Sequence, residues 1–157
     1  AGSGVSVILM HMQGQPGTMQ KNPAYEDTVG EVLAFLAERI GFAESAGIPK
    51  SRIIIDPGIG FGKTLEHNIS LLKDIGRFHE LGCPVCLGVS NKSMFGMLTG
   101  ASPESRVWGT AAATALSVAA GIEIHRVHNV AEIRQVADTA AALRDDRACH
   151  AEDRTWN

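Results

Sequence analysis

Cysteine is scarce in this chain, and the three present, Cys83, Cys86 and Cys149, are an odd number with no repeated pair. A disulfide framework is thereby excluded. Cys83-Pro84-Val85-Cys86 runs into a predicted strand, whereas a redox Cys-x-x-Cys stands at a helix N-terminus, so the thiols are read as reduced and the setting as cytoplasmic. Positive charge is not in excess: 14 basic against 17 acidic residues give a formal charge of -3, which offers no electrostatic grip on nucleic acid. Long apolar runs are missing, since each is of strand length or is broken by charge or glycine, and a membrane span is excluded. No basic region precedes an apolar stretch at the N-terminus, so secretion has no support. No low-complexity linker divides the 157 residues.

What is present can bury a core, for 45% of the residues are hydrophobic. Val5 to Met12 is apolar almost throughout and reads as a buried strand, followed by a glycine- and proline-bearing loop over Gln13 to Asn22. From Ala24 to Ala46, Val29, Val32, Leu33, Leu36, Ile40 and Ala43 recur at helical spacing, with Gly47 as a C-cap. Ile53 to Ile55 predicts a second strand, and Leu65, Ile69, Leu72, Ile75 and Phe78 a second helix ending before Gly82. A third strand covers Val85 to Val89. Ser90 to Ser102 then reads as a loop, Pro103 as the first position of an alanine-rich helix reaching Ala120, Ile124 to Val127 as a fourth strand and Ala131 to Arg144 as the last helix. Strand and helix alternate four times, which predicts one parallel α/β unit. A closed eight-stranded barrel needs about 250 residues, so the unit is a small open sheet or part of a barrel.

The stretch with the most chemical content is Asp56-Pro57-Gly58-Ile59-Gly60-Phe61-Gly62-Lys63. It sets a carboxylate at a strand's carboxyl end, and three glycines let the backbone approach a ligand closely and adopt conformations that a Cβ would forbid. It is not a Walker loop, because Pro57 occupies the first glycine position, and not a dinucleotide fingerprint, because Lys63 occupies the last. Taken alone, the competing reading is that Asp56 only caps the following turn and the glycines only make it tight.

Each strand end carries polar groups: His11 and Gln13 on the first, Asp56 on the second, Ser90, Asn91, Lys92 and Ser93 on the third, Arg126 and His128 on the fourth. Arg126 and His128 are two apart and share a strand face, whereas His125 and His128 do not and make a poor metal pair. A guanidinium and an imidazole are suitable donors for a phosphate or diphosphate, and Asp56 suits a heterocycle edge presenting paired N–H groups. Singly, a lysine such as Lys92 is more often solvated and a serine such as Ser93 more often a capping hydroxyl. Recurrence at the same end of four strands is what points to a site.

His11-Met12-Gln13-Gly14, Asp56 to Lys63, Gly88-Val89-Ser90-Asn91-Lys92-Ser93-Met94-Phe95-Gly96 and Arg126-Val127-His128-Asn129-Val130 together resemble, in order and spacing, the motifs of the bacterial dihydropteroate synthases. That resemblance implies a (β/α)8 TIM barrel, of which residues 1–144 form a partial pterin-binding unit corresponding to strands five to eight, with residues 145–157 as a polar tail. It implies a transferase that joins 6-hydroxymethyl-7,8-dihydropterin diphosphate to p-aminobenzoate in folate biosynthesis and is a sulfonamide target. By the same resemblance Asp56 binds the pterin's amino-pyrimidine edge, Lys92 its carbonyl and ring nitrogen, and Gly88 lets the ring lie against the strand. Phe61, Lys92 and Ser93 form part of the p-aminobenzoate pocket, and Arg126 and His128 hold the diphosphate, with Lys92, Arg126 and His128 the catalytic groups. Mg²⁺ is implied as cofactor, its ligand lying in the half of the family's barrel that the chain does not match, and a homodimer as the full-length assembly.

Two positions depart from the family's pattern. Its Ser-Arg-Lys reads Ser90-Asn91-Lys92 here, and its Arg-Val-His-Asp reads Arg126-Val127-His128-Asn129. The first exchange removes a positive charge beside the anionic substrates. The four matching strands alone are not expected to turn over. Two other readings compete: a pterin-binding methyltransferase-type domain presenting methyl-tetrahydrofolate, which needs no diphosphate clamp, and a silent half barrel associating through its strand edges.

Overall fold

Two strands, β1 (Val7–Met10) and β2 (Ile53–Asp56), lie parallel with Val7 opposite Ile53 and Met10 opposite Asp56. A second parallel pair, β3 (Cys86–Leu87) and β4 (Ile124–His125), sets Cys86 opposite Ile124. An isolated parallel bridge between Ile55 and Val85 joins the pairs, with the Ile55 N–H donating to Pro84 O at 3.0 Å. The strands therefore stand side by side in chain order, and all four release their chain at one rim. These are features of a computed structural model that describes residues 2–144; Ala1, Cys149 and the predicted tail 145–157 lie outside the described residues.

Helices fill the connections, as parallel neighbours require. α1 (Thr28–Ser45) crosses from β1 to β2, α2 (Leu65–Lys73) from β2 to β3, α3 (Ser93–Thr99) and α4 (Val107–Ala119) from β3 to β4, and α5 (Val130–Arg144) follows β4. α1 starts where Asp27 accepts from the Gly30 N–H at 3.0 Å, a cap that the sequence places just before the apolar stripe. That stripe, Val29, Val32, Leu33, Leu36, Ile40 and Ala43, is buried against Ile53, Ile55, Val85 and Leu87 in one core that also encloses Phe78 and Ile122. Among the described residues no helix is long and apolar enough to cross a membrane.

Several expectations change at their edges, α1 starting at Thr28 rather than Ala24 and β3 narrowing to Cys86–Leu87 among them. The first strand is Val7–Met10 rather than Val5 to Met12, because Val5 is 63% exposed and has no core to face. The second helix stops at Lys73 and continues as a 3₁₀ stretch over Ile75–Leu81, where Asp74 and Gly76 weaken the α-helical preference. Pro103 opens a 3₁₀ turn, Pro103–Ser105, and α4 begins only at Val107.

One further change matters most. The segment Ser90 to Ser102 is not a continuous loop, since Ser93–Thr99 forms α3 without any side-chain cap. Burial of Met94 and Phe95 supplies what the cap does not. Phe95 fits because Gly109 of α4 has no side chain: a Cβ there would stand 2.5 Å from Phe95 Cγ. β4 is also shorter than expected and ends at His125, so Arg126 and His128 belong to the connection leaving the strand, and strand alternation does not set their directions. The Arg126 N–H still donates to Leu87 O at 3.0 Å, which anchors the start of that connection to β3.

Candidate functional site

The loop from Asp56 to Lys63 is the best-braced segment of the rim. Gly58, Gly60 and Gly62 all have positive φ, at 69°, 79° and 61°. Their immediate neighbours are protein atoms: a Cβ on Gly58 would meet His11 O at 1.8 Å, and one on Gly62 would meet Gln13 O at 2.5 Å. The close approach expected toward a ligand is, at these two glycines, an approach to the chain leaving β1. Gln20 donates to Gly60 O at 2.6 Å, Tyr25 to Gly62 O at 2.9 Å, and Asn68 accepts from the Gly60 N–H at 2.7 Å.

Asp56 caps the turn and also meets a guanidinium. Its Oδ1 accepts from the Gly58 N–H at 2.8 Å, and its Oδ2 lies 3.7 Å from Arg126 Nη2. The carboxylate is buried while the guanidinium is 60% exposed. Burial pushes the Asp56 carboxyl above the usual carboxylate range, opposed by the Gly58 amide, Arg126 and Lys92. Gly88 lies under the guanidinium, where a Cβ would be 2.5 Å from Arg126 Nη2. Two groups 70 residues apart in the sequence thus converge.

Lys92 joins them from β3. Its ammonium donates to Ile59 O and sits 4.2 Å from the centre of the Phe61 ring, a cation–π contact. Burial lowers its pKa to about 8; the Asp56 charge pulls it up and the Arg126 charge pulls it down. Lys92 is therefore held inward, not solvated. Lys92 and Ser93 also line a cavity of about 690 Å³ with Gly60, Lys63, Met94 and Met97. Asp56, Phe61, Gly88, Lys92 and Arg126 form one cluster, and Ser93 enters through the cavity that Lys92 shares.

His128 is tied elsewhere. Its N–H donates to Ser90 Oγ at 3.0 Å, and its Nδ1 lies 2.8 Å from the same oxygen. One residue further along each loop, Asn91 Nδ2 donates to Asn129 Oδ1 at 3.2 Å. The loops after β3 and β4 are stitched at two successive positions.

The residue that the sequence did not single out is Lys63. It is 4% exposed, and its ammonium donates to His11 Nδ1 at 2.9 Å, Gly58 O at 3.0 Å and Phe61 O at 3.1 Å. All three ammonium hydrogens are thereby used. Burial lowers the Lys63 pKa to about 7, and burial together with the Lys63 charge lowers that of His11 to about 4. No sequence signal marks a lysine between a glycine and a helix cap as buried; only the fold brings 11 and 63 together. Among the described residues no group of three His, Cys, Asp or Glu could hold a metal ion.

The profile of the family described as pterin binding enzyme matches residues 1–128. The dihydropteroate synthase of Escherichia coli K12 is 42% identical over 151 residues, covering 94% of this chain and 54% of that protein. The Yersinia pestis dihydropteroate synthase, solved in a sulfonamide drug complex, superposes with a TM-score of 0.86 at 40% identity, over 88% of this chain and 51% of that one. The Xanthomonas albilineans dihydropteroate synthase in complex with 7,8-dihydropteroate gives 0.81 at 45% identity, over 89% and 51%. The chain spans about half the length of the relatives it matches. Its four strands and their helices are thus a portion of that α/β TIM-barrel fold.

Proposed function

The chain belongs to the pterin-binding enzyme family, and from that premise we propose that its full-length protein is a dihydropteroate synthase, a transferase of folate biosynthesis. It condenses 6-hydroxymethyl-7,8-dihydropterin diphosphate with p-aminobenzoate and releases diphosphate. The observation that supports this reading is the convergence of Asp56, Lys92 and Arg126, with Arg126 Nη2 3.7 Å from Asp56 Oδ2 and Lys92 against Ile59 O and Phe61. In this reading residues 1–144 are the partial pterin-binding barrel and 145–157 its tail.

The chemistry requires little of the protein beyond placement and charge. The carbon–oxygen bond to diphosphate breaks and its electron pair leaves with the diphosphate, and the pterin carries the resulting cationic methylene carbon. The aniline nitrogen attacks that carbon, and the aniline loses a proton. Asp56 accepts N–H groups from the amino-pyrimidine edge, so the ring is oriented by a charged acceptor. Gly88 leaves room for the ring plane beside the guanidinium. Lys92 donates to the ring carbonyl and nitrogen, while its stem and Phe61, with Ser93, bound the p-aminobenzoate side. Arg126 and His128 take up the charge that develops on the departing diphosphate.

Mg²⁺ is part of the family expectation, but the described residues do not supply its site: Asp56 is engaged by Gly58 and Arg126, and no three-residue cluster stands near it. Its ligand is assigned to the portion of the barrel that the chain does not match. A homodimer and a cytoplasmic location belong to the same proposal, the first in keeping with Trp108 of α4 and Leu143 of α5, which are 76% and 82% exposed. A methyltransferase-type domain would present no diphosphate to the exposed Arg126 side chain, whose protein counter-charge is Asp56.

The test is a condensation assay on the full-length protein with both substrates, following diphosphate release and sulfonamide competition. Release that depends on p-aminobenzoate and is inhibited competitively by a sulfonamide is expected. Turnover insensitive to p-aminobenzoate would refute the assignment.

A further inference from the structure

The two positions at which the chain departs from the family's motifs, Asn91 and Asn129, touch each other. Asn91 Nδ2 donates to Asn129 Oδ1 at 3.2 Å across 38 residues. Asn91 has φ 53°, a left-handed conformation that asparagine tolerates better than most side chains. Its N–H donates to Thr110 Oγ1 at 2.9 Å, and that hydroxyl, which donates to Arg106 O at 3.1 Å, lies 3.4 Å from Asn91 Oδ1. Thr110 is 1% exposed, so the anchor on α4 is internal. On the other side Asn129 immediately precedes α5, and its carbonyl accepts the helix's opening bond from the Ile133 N–H at 3.0 Å.

We infer that Asn91 and Asn129 form one neutral amide clasp whose work is to position the Lys92–Ser93 segment, and that the two exchanges are therefore coupled. This rests on the reading of Lys92 and Ser93 as substrate-binding groups. The clasp holds the residue next to Lys92 on both sides, to α4 through Thr110 and to the α5 entrance through Asn129, beside the Ser90–His128 contact one position earlier. A guanidinium at 91 facing an amide at 129 would lack a counter-charge, and a carboxylate at 129 facing an amide at 91 would lack a donor cation. Either exchange alone mismatches the pair; together they replace one matched pair by another.

Full-length protein carrying Asn91→Gly, Asn129→Ala and both together decides the matter, read by KM for p-aminobenzoate, kcat, melting temperature and amide hydrogen exchange over residues 92–96. Glycine keeps the positive φ while removing the amide. Each single change is expected to raise KM about fivefold, the loss of one hydrogen bond, and to speed exchange in that segment, with kcat and melting temperature nearly unchanged; the double is expected to be no worse than either single. Asn91→Arg alone should raise KM by a similar factor, and Asn91→Arg with Asn129→Asp should return to within about twofold of the parent. Additive effects, or a defect of Asn91→Arg that the added Asn129→Asp does not relieve, would overturn the clasp. A parent that binds both substrates without condensing them would refute the synthase reading alone, because the exchange rates still decide whether 91 and 129 act as a pair.

Discussion

Lys63 Nζ lies 2.9 Å from His11 Nδ1, so the last residue of the glycine-rich loop is fastened to the exit of β1 across 52 residues. Because the ammonium also donates to Gly58 O and Phe61 O, it fixes the loop's course from the carboxylate of Asp56 to the ring of Phe61. A charge-bearing side chain here acts as a structural pin beneath the groups that face the site.

Replacing the pin should be costly. Lys63→Met keeps the stem but orphans two carbonyls and the His11 nitrogen, and a loss of roughly 2–4 kcal/mol is expected, seen as a melting temperature lower by about 5 to 15 °C. A variant that melts higher than the parent would mean that desolvation of the ammonium outweighs its three bonds.

Acid should loosen the same corner. The folded-state pKa of His11 is lowered to about 4 from 6.5, so between these values the unfolded chain binds a proton that the folded chain does not. Stability contributed by neutral His11 is complete above pH 6.5 and declines as pH falls toward 4, by on the order of 3 kcal/mol in total. His11→Asn offers Lys63 an acceptor that does not titrate, and urea unfolding at pH 5 and pH 7.5 should show a smaller difference than in the parent. Equal pH dependence in the two proteins would exclude His11 as the source.

Arg126 should discriminate between ligands by their phosphates. In the full-length protein Arg126→Ala is expected to weaken pterin diphosphate by about ten- to a hundredfold, the loss of a charge-assisted contact, while a pterin without phosphates changes only slightly. Calorimetric titration of both ligands checks this, and equal losses would remove Arg126 from the diphosphate site. Gly88→Ala should act in the same direction, since its Cβ would displace the guanidinium.

Asp56→Asn should weaken pterin binding by on the order of 2 kcal/mol, through exchange of a charged acceptor for an amide. Since burial raises the pKa of Asp56, its ionised form is lost on acidification at a higher pH than an ordinary carboxylate. Pterin affinity of the parent should fall through that range and that of the variant should not; parallel pH profiles would separate binding from the carboxylate.

What the chain's linear order determined was local. The spacing of Val29, Val32, Leu36 and Ile40 dictates a one-sided helix, the β-branched run at Ile53 a buried strand, and the glycines after Asp56 a left-handed turn that puts a carboxylate on the rim, because each depends on near neighbours alone. Tertiary structure decided the rest. Phe95 makes a helix of residues 93–99 only because Gly109 leaves space for it, and Lys63 is buried only because His11 and two carbonyls surround it. Asn91 and Asn129 meet only because β3 and β4 are adjacent. Such partners lie tens of residues away, and whether a polar group is solvated or held inside depends on them, so no window of sequence contains the answer.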